Sequence, residues 1–319
     1  MHEFKIIKNY FSKIAKNNKY ALNLNDDVFF DNKKKLAISV DTYNIGSHFI
    51  DFTKPELVIK KIVRSSISDL ICKGVLPKYY FVSGSGNKKT FTKKNLLKIS
   101  KSLKEEQKKY RLKLCGGDTT FSNKLSFTIV SLGYSKNIIY RNKVQYDDDI
   151  YITGNLGDSF IGLQILKNKI KVKNNTSKYF IEKYYKPDVQ LNLTKKLLNF
   201  ANSSIDVSDG LFDDLKKMVN KQKFNYTIYS DKIPISPQLN SLIKIKKLKK
   251  INLISSGDDY QVLFTANKNK SRIIAKTSQN TGIKITKIGK IISNKKKSMI
   301  INEKGEQILL KNRGYIHQF

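Results

Sequence analysis

Aspartates set among small and hydroxyl residues recur along this chain. They occur in NDD (Asn25 to Asp27), SVDT (Ser39 to Thr42), SISDL (Ser66 to Leu70), CGGDTT (Cys115 to Thr120) and DVSDG (Asp206 to Gly210). Each lies where an apolar run begins or ends. Aspartate outnumbers glutamate in the chain, and aspartate competes with helix backbone, so these carboxylates belong to loops and strand ends where a short acid can be held rigidly. Hard divalent cations take oxygen ligands, and magnesium is usually held by a few carboxylates together with substrate phosphates. Gly116 and Gly117 would let backbone approach a ligand closely. Taken singly, each motif also reads as an Asx turn or a helix N-cap, and Asp206 and Asp209 could cap a helix starting near Leu211. Five such motifs in one chain are harder to explain that way.

Candidate bases are scarce by comparison. His2, His48 and His317 are too dispersed for a zinc triad, and no nucleophile elbow of the G-x-S-x-G type is present. GSGNKKT (Gly84 to Thr90) fails both the P-loop and the dinucleotide fingerprints and reads as a turn after a strand. DDD (Asp147 to Asp149) reads as a solvated turn. Many carboxylates without a base suit phosphoryl transfer, which is mostly positioning plus charge neutralisation. A phosphate acceptor is already largely ionised, with a second pKa of about 6, so no general base is expected. Its repulsion from a second polyanion is what several magnesium ions would relieve.

These residues need strands and helices to place them. LAISVDTYN, YYFVSGSG, RLKLCGGDTT and KLSFTIVSLGY read as strands. PELVIKKIVRSSISDLICKG reads as a helix, with Pro55 in its first turn and Gly74 at its close. KKNLLKISKSLKEEQKKY is amphipathic, and Phe4 to Ile14 also have helical spacing. After the polar stretch NIIYRNKVQYDDD the alternation resumes with DIYITGNLG, DSFIGLQILKN, SSIDVSDGLFDDLKKMV, LISSGDDYQVLFTA and ITKIGKIIS. The pattern predicts an α/β (α+β) chain of two domains, residues 1–137 and 138–319.

The chain has 319 residues, 39% apolar, with a formal net charge of +35. That supports a folded protein, and the excess charge would attract an anionic partner. The lysines are scattered, however, and read as a compositional bias. Cys72 and Cys115 give neither a disulfide framework nor a zinc site. The start lacks a secretory h-region, and no apolar run approaches the roughly 20 residues of a membrane span. A soluble, cytoplasmic protein without membrane contact is the expectation.

The order NDD, LAISVDT, GSHF, ISDL, GGDTT, YITGNLGDS, IDVSDGL and SGDDY resembles the thiamine-monophosphate kinase family, in the superfamily of aminoimidazole ribonucleotide synthetase and selenophosphate synthetase. The resemblance covers nearly the whole chain. It implies an N-terminal domain that dimerises through a mixed sheet and a C-terminal α/β domain beside it. It implies direct in-line transfer of the ATP γ-phosphate to thiamine monophosphate, the last step of thiamine diphosphate synthesis. It implies several Mg2+ ions on Asp26, Asp27, Ser39, Asp41, Asp69, Asp118, Asp206 and Asp209. ATP contacts would come from Gly117, Asp118, Arg141 and Ser208, and thiamine phosphate contacts from His48, Asp258 and Tyr315. Four positions depart from the family pattern: Asn25 for Gly, Val40 for Thr, Asp258 for Glu and Phe121 for Arg. Two alternative readings stand beside it. One is another ATP-dependent enzyme of the superfamily, akin to aminoimidazole ribonucleotide synthetase. The other is a basic nucleic-acid-binding protein, against which stands the lack of an RRM, KH or zinc-finger pattern.

Overall fold

A computed structural model describes residues 3–219 and 222–310. Two mixed sheets organise the chain. The first contains β1 (Phe29–Asp31), β2 (Leu36–Asn44), β3 (Pro77–Gly86), β4 (Lys113–Gly116), β5 (Thr119–Phe121) and β6 (Ser126–Tyr134), in the order β1-β2-β6-β3-β4, with β5 also beside β3. Pairing is antiparallel except for β4 and β5, which run parallel to β3. The second contains β7 (Asp149–Thr153), β8 (Ser203–Asp206), β9 (Phe224–Tyr229), β10 (Val262–Ala266), β11 (Ile285–Ser293) and β12 (Met299–Ile301), in the order β12-β9-β11-β7-β10-β8.

Strand periodicity decides what each face of the first sheet does. On β2, Ala37, Ser39 and Tyr43 are buried while Val40 and Thr42 point outward. Val40 therefore lies on the opposite face from Ser39 and Asp41. The outward positions Ile38, Val40 and Thr42 pair with Leu132, Val130 and Thr128 of β6, which pair in turn with Tyr79, Phe81 and Ser83 of β3. In the second sheet, β7 and β10 are buried along their whole lengths, as strands covered on both faces must be.

Helix Pro55–Cys72 joins the two halves. Of its 18 residues, only Glu56, Leu57, Lys60 and Asp69 escape full burial. Its Ile59, Ile62 and Ile67 share one apolar core with Tyr80 and Phe127 of the first sheet and Val262 and Phe264 of the second. A helix buried all round cannot leave polar side chains unpaired without a cost of about 1–3 kcal/mol each. Its polar residues meet this demand through partners remote in sequence. Arg64 donates from Nε and Nη2 to Glu106 at 2.8 and 3.0 Å, Ser66 shares a hydrogen bond with Ser131 at 2.8 Å, and Ser68 donates to Asp206.

Several expectations change. The apolar spacing near the N-terminus gives only a turn, Glu3–Ile6, and a π-helical turn, Ile7–Phe11, with Tyr10, Phe11 and Ile14 exposed. A short helix without tertiary packing is marginal. The glycines of GSGNKKT lie within β3, and the turn follows at Asn87. DDD is not a solvated turn: Asp148 and Asp149 are buried. Asp148 accepts from Asn202 Nδ2 at 2.9 Å and from Thr265 Oγ1 at 3.0 Å. Asn25, where the family pattern has glycine, has φ −123°, a conformation that does not require glycine, and its side chain donates to Asn142. Among the described residues, no helix is long and apolar enough to cross a membrane.

Candidate active site

A polar cleft of about 210 Å³ opens where the first sheet, helix Pro55–Cys72 and the loops after β8 and before β10 meet. It brings together Asp41, His48, Asp69, Asp206, Ser208, Asp209 and Asp258 of the sequence-predicted residues. Ser39 lies just behind it and donates to Asp69 Oδ2 at 2.6 Å. Asp26, Asp27 and Arg141 adjoin it through the second half: Asp26 Oδ2 accepts from Arg141 N at 2.9 Å, and Asp27 Oδ1 from Arg141 Nη1 at 2.7 Å. Gly117 and Asp118 stand elsewhere, at the edge of the first sheet beside Val82 to Gly84. They are separated from β2 by β3 and β6, so about 14 Å lies between Asp41 and this edge at the usual strand spacing. Tyr315 lies outside the described residues. A larger hollow of about 530 Å³, walled by Phe212, Val219, Met299 and Ile308, is mostly apolar and suits phosphate chemistry less well.

Backbone packing explains the glycines. The DVSDG and SGDDY loops are stitched together, with Asp258 N donating to Ser208 O at 2.7 Å and Tyr260 N to Val207 O at 2.8 Å. A Cβ on Gly210 would fall 2.2 Å from Ser255 O, and one on Gly257 would fall 2.2 Å from Ser208 O. Both glycines also have positive φ, where an L side chain is strained. Asp258 and Tyr260 adopt positive φ as well; such strain persists only where the surroundings impose it, and it clusters at functional sites. A Cβ on Gly117 would lie 1.7 Å from Val82 O, so β3 requires that glycine before any ligand does. Asp206 and Asp209 do not cap helix Leu211–Val219; Asp214 reaches back and accepts from the amides of Asp209 and Gly210 at 3.0 and 3.1 Å.

The electrostatics divide the cleft in two. Burial pushes Asp41 up to about 7, helped by the charges of Asp206 and Asp27. Burial and Asp27 push Asp206 up to about 6, and burial with Asp41 and Asp206 raises Asp69 well above the carboxylate range. Asp27 behaves oppositely: burial works against its charge, yet Arg141 and Lys73 outweigh it and hold the acid well below the usual range. Raised acids keep their protons longer in the folded chain than in the unfolded one. Between about pH 4 and 7 the native state therefore binds more protons, and stability falls as pH rises. Asp27 has the opposite sign, but its contribution is lost only as pH falls below the ordinary carboxylate range. With chelator present, the urea midpoint should be lower at pH 7.5 than at pH 5, and Asp41→Asn should flatten that slope. A midpoint rising across this window would contradict the assignment.

Sequence reasoning missed the buried cations. Lys61, 1% exposed, pairs with Asp258 Oδ2 at 2.6 Å and lies 3.8 Å from the Tyr184 ring centre. Lys73 pairs with Asp26 and Asp27, and Lys217 with Asp209 at 2.5 Å and Asp214 at 2.7 Å. In so lysine-rich a chain, the one available signal was position: Lys61 and Lys73 fall inside or at the end of a helix whose apolar residues go all the way round. His48 accepts at Nδ1 from Asn44 N at 3.0 Å, which places its proton on Nε2. Arg141 Nε is buried without a hydrogen-bond partner.

Relatives place the chain. Residues 23–134 match the family "AIR synthase related protein, N-terminal domain". The thiamine-monophosphate kinase of Buchnera aphidicola subsp. Schizaphis graminum is 35% identical, over 99% of this chain and 98% of its own. The chain belongs to the thiamine-monophosphate kinase family. The Haemophilus influenzae member of that family is 33% identical over 83% of this chain and 81% of its own. A solved structure, AaThiL complexed with AMPPCP and TMP, shares the fold with a TM-score of 0.85 at 24% identity, over 99% of this chain and 97% of that one. Thiamine-monophosphate kinases therefore supply the frame for the cleft, rather than the synthetases of the superfamily or a nucleic-acid-binding protein.

Proposed function

We propose that this chain phosphorylates thiamine monophosphate to thiamine diphosphate, using ATP as the donor. The observation that carries the reading is near-full-length kinship with thiamine-monophosphate kinases. AaThiL complexed with AMPPCP and TMP indicates the two ligands such a fold receives. Acceptor phosphate and ATP γ-phosphate would meet in the polar cleft, with attack in line and no general base.

The donor set fits magnesium. It is all oxygen, burial together with the neighbouring acids raises Asp41 and Asp206, and substrate phosphates are expected to complete the coordination. Among the described residues no finished cage of three ligands is present. Of the candidate oxygens Asp26, Asp27, Ser39, Asp41, Asp69, Asp118, Asp206 and Asp209, Asp26 and Asp27 already meet Lys73 and Arg141, and Asp118 stands apart at the sheet edge. When bound, magnesium supplies charge neutralisation between the two polyanions. The chain's own side chains do the remaining work. His48 offers its Nε2 proton to the thiamine phosphate. Asp258, held by buried Lys61, orients the rest of that substrate, with Tyr315. Arg141, whose Nε proton lacks a protein partner, and Ser208 face ATP. Gly117 and Asp118 meet the nucleotide at the sheet edge. We assign the N-terminal domain to residues 1–137, the C-terminal domain to 138–319 and the protein to the cytoplasm.

A homodimer is part of the proposal. The outer face of the first sheet exposes Val40 (62%), Phe81 (39%) and Tyr134 (52%), an apolar patch of the kind that marks an interface. A second copy covers it. Light scattering should give twice 36.7 kDa, and Phe81→Glu should shift the mass toward one chain; a monomeric wild type would refute the dimer.

The reaction is tested by incubating purified protein with ATP, MgCl2 and thiamine monophosphate and separating products by chromatography. Thiamine diphosphate should form, free thiamine should remain unphosphorylated, and excess chelator should abolish turnover. Full activity in chelator would refute the metal-assisted mechanism.

A further inference from the structure

We propose that Lys73 is a resident counter-ion for Asp26 and Asp27, its ammonium standing where a divalent cation would otherwise neutralise that pair. The inference rests on the metal-assisted reading above and narrows it.

Lysine is almost never fully buried unless paired. Lys73 follows the last turn of helix Pro55–Cys72 and is 0% exposed. Its Nζ lies 2.8 Å from Asp26 Oδ1, 2.9 Å from Asp27 Oδ2 and 2.8 Å from Ser204 O. An ammonium has three protons to give, and three acceptors surround this one. Arg141 completes the arrangement from the other side, with its amide on Asp26 Oδ2 and its Nη1 on Asp27 Oδ1. Two carboxylates thus meet two fixed cations; Asp27 Oδ2 faces the Lys73 ammonium at 2.9 Å as an ion pair without a hydrogen bond of its own.

The other end of the cleft differs. Asp41 and Asp69 make no ion pair among the described residues. Asp69 is met by a neutral hydroxyl, that of Ser39. Positive charge is therefore built in at Asp26–Asp27 and absent at Asp41–Asp69. A divalent ion gains most where charge is unmatched, and at Asp26–Asp27 it must displace or share with an ammonium that has no route to solvent. Divalent ions concentrate at the Asp41, Asp69 and Asp206 end.

The test is divalent-ion stoichiometry on the full chain by equilibrium dialysis with Mn2+ and AMPPCP. Lys73→Met, which keeps volume and removes charge, should bind one more Mn2+ per chain than wild type. Its metal-free Tm should fall by about 5 °C, because an unpaired buried carboxylate is left behind, and Mn2+ should restore it. Equal stoichiometry and an equal Mn2+ response in both proteins would overturn the proposal. Should Lys73→Met fail to fold, Asp26→Asn decides: an unchanged ion count supports the proposal, and loss of one ion overturns it. Absence of bound Mn2+ from wild type would refute the metal-assisted reading instead, and the gain or non-gain of an ion in Lys73→Met would still decide the role of Lys73.

Discussion

Asp69→Asn is expected to lower kcat/KM for thiamine monophosphate phosphorylation by about 10³-fold or more, the scale of losing one preorganised charge in phosphoryl or acyl transfer. The thermal unfolding temperature without metal should not fall. Both halves of the expectation come from the same geometry. Asp69 sits on the buried central helix among Asp41 and Asp206, and burial, with these charges, disfavours its ionised form. Asparagine resembles the protonated acid in shape and can keep the hydrogen bond with Ser39. The folded chain therefore loses nothing it needs for stability, while metal and phosphate lose a ligand. Steady-state kinetics and calorimetry on the same preparation check it. Near-normal turnover would remove Asp69 from the site, and a marked drop in Tm would recast it as a structural residue.

The second large effect concerns the scaffold. Glu106→Ala should destabilise the chain by about 3–5 kcal/mol, because it leaves the Arg64 guanidinium buried without its carboxylate. Arg64 and Glu106 are both nearly inaccessible, and they join helix Pro55–Cys72 to helix Lys93–Tyr110 by two parallel hydrogen bonds. Arg64 Nη1 also reaches Pro187 O at 3.3 Å in the second half. The double change Arg64→Met with Glu106→Leu should recover most of the loss, since well-packed apolar residues often replace a buried pair without penalty. Urea denaturation measures both. A cost below about 1 kcal/mol for Glu106→Ala would place the pair among weak surface bridges.

How much of this was legible in the sequence depends on range. Local signals were readable: alternation on β2 and β6, the proline start of the central helix, and the acids of SVDT, SISDL and DVSDG that the fold gathers into one cleft, although Asp69 lies in the helix and Asp41 within β2 rather than at a loop or strand end and Asp118 stays at the sheet edge. Long-range matches were not. Arg64 meets Glu106, Lys61 meets Asp258 and Lys73 meets Asp26 only after the chain folds, and nothing local separates a buried lysine from an exposed one in so basic a chain. The acids at Asp148 and Asp149 read as solvated for the same reason: their partners, Asn202, Thr265 and Lys287, come from other elements. Gly117 read as freedom for a ligand, yet it first answers backbone packed against it, as Gly210 and Gly257 also do. Val40, where the family pattern has threonine, lies by strand periodicity on the outer apolar face.

The central claim is transfer of the terminal phosphate of ATP to thiamine monophosphate. The most direct measurement supplies ATP labelled with 32P at the γ position, MgCl2 and thiamine monophosphate, and follows the label. The account predicts label in thiamine diphosphate, matched mole for mole by ADP. Label appearing only as inorganic phosphate, with thiamine monophosphate unchanged, would contradict it.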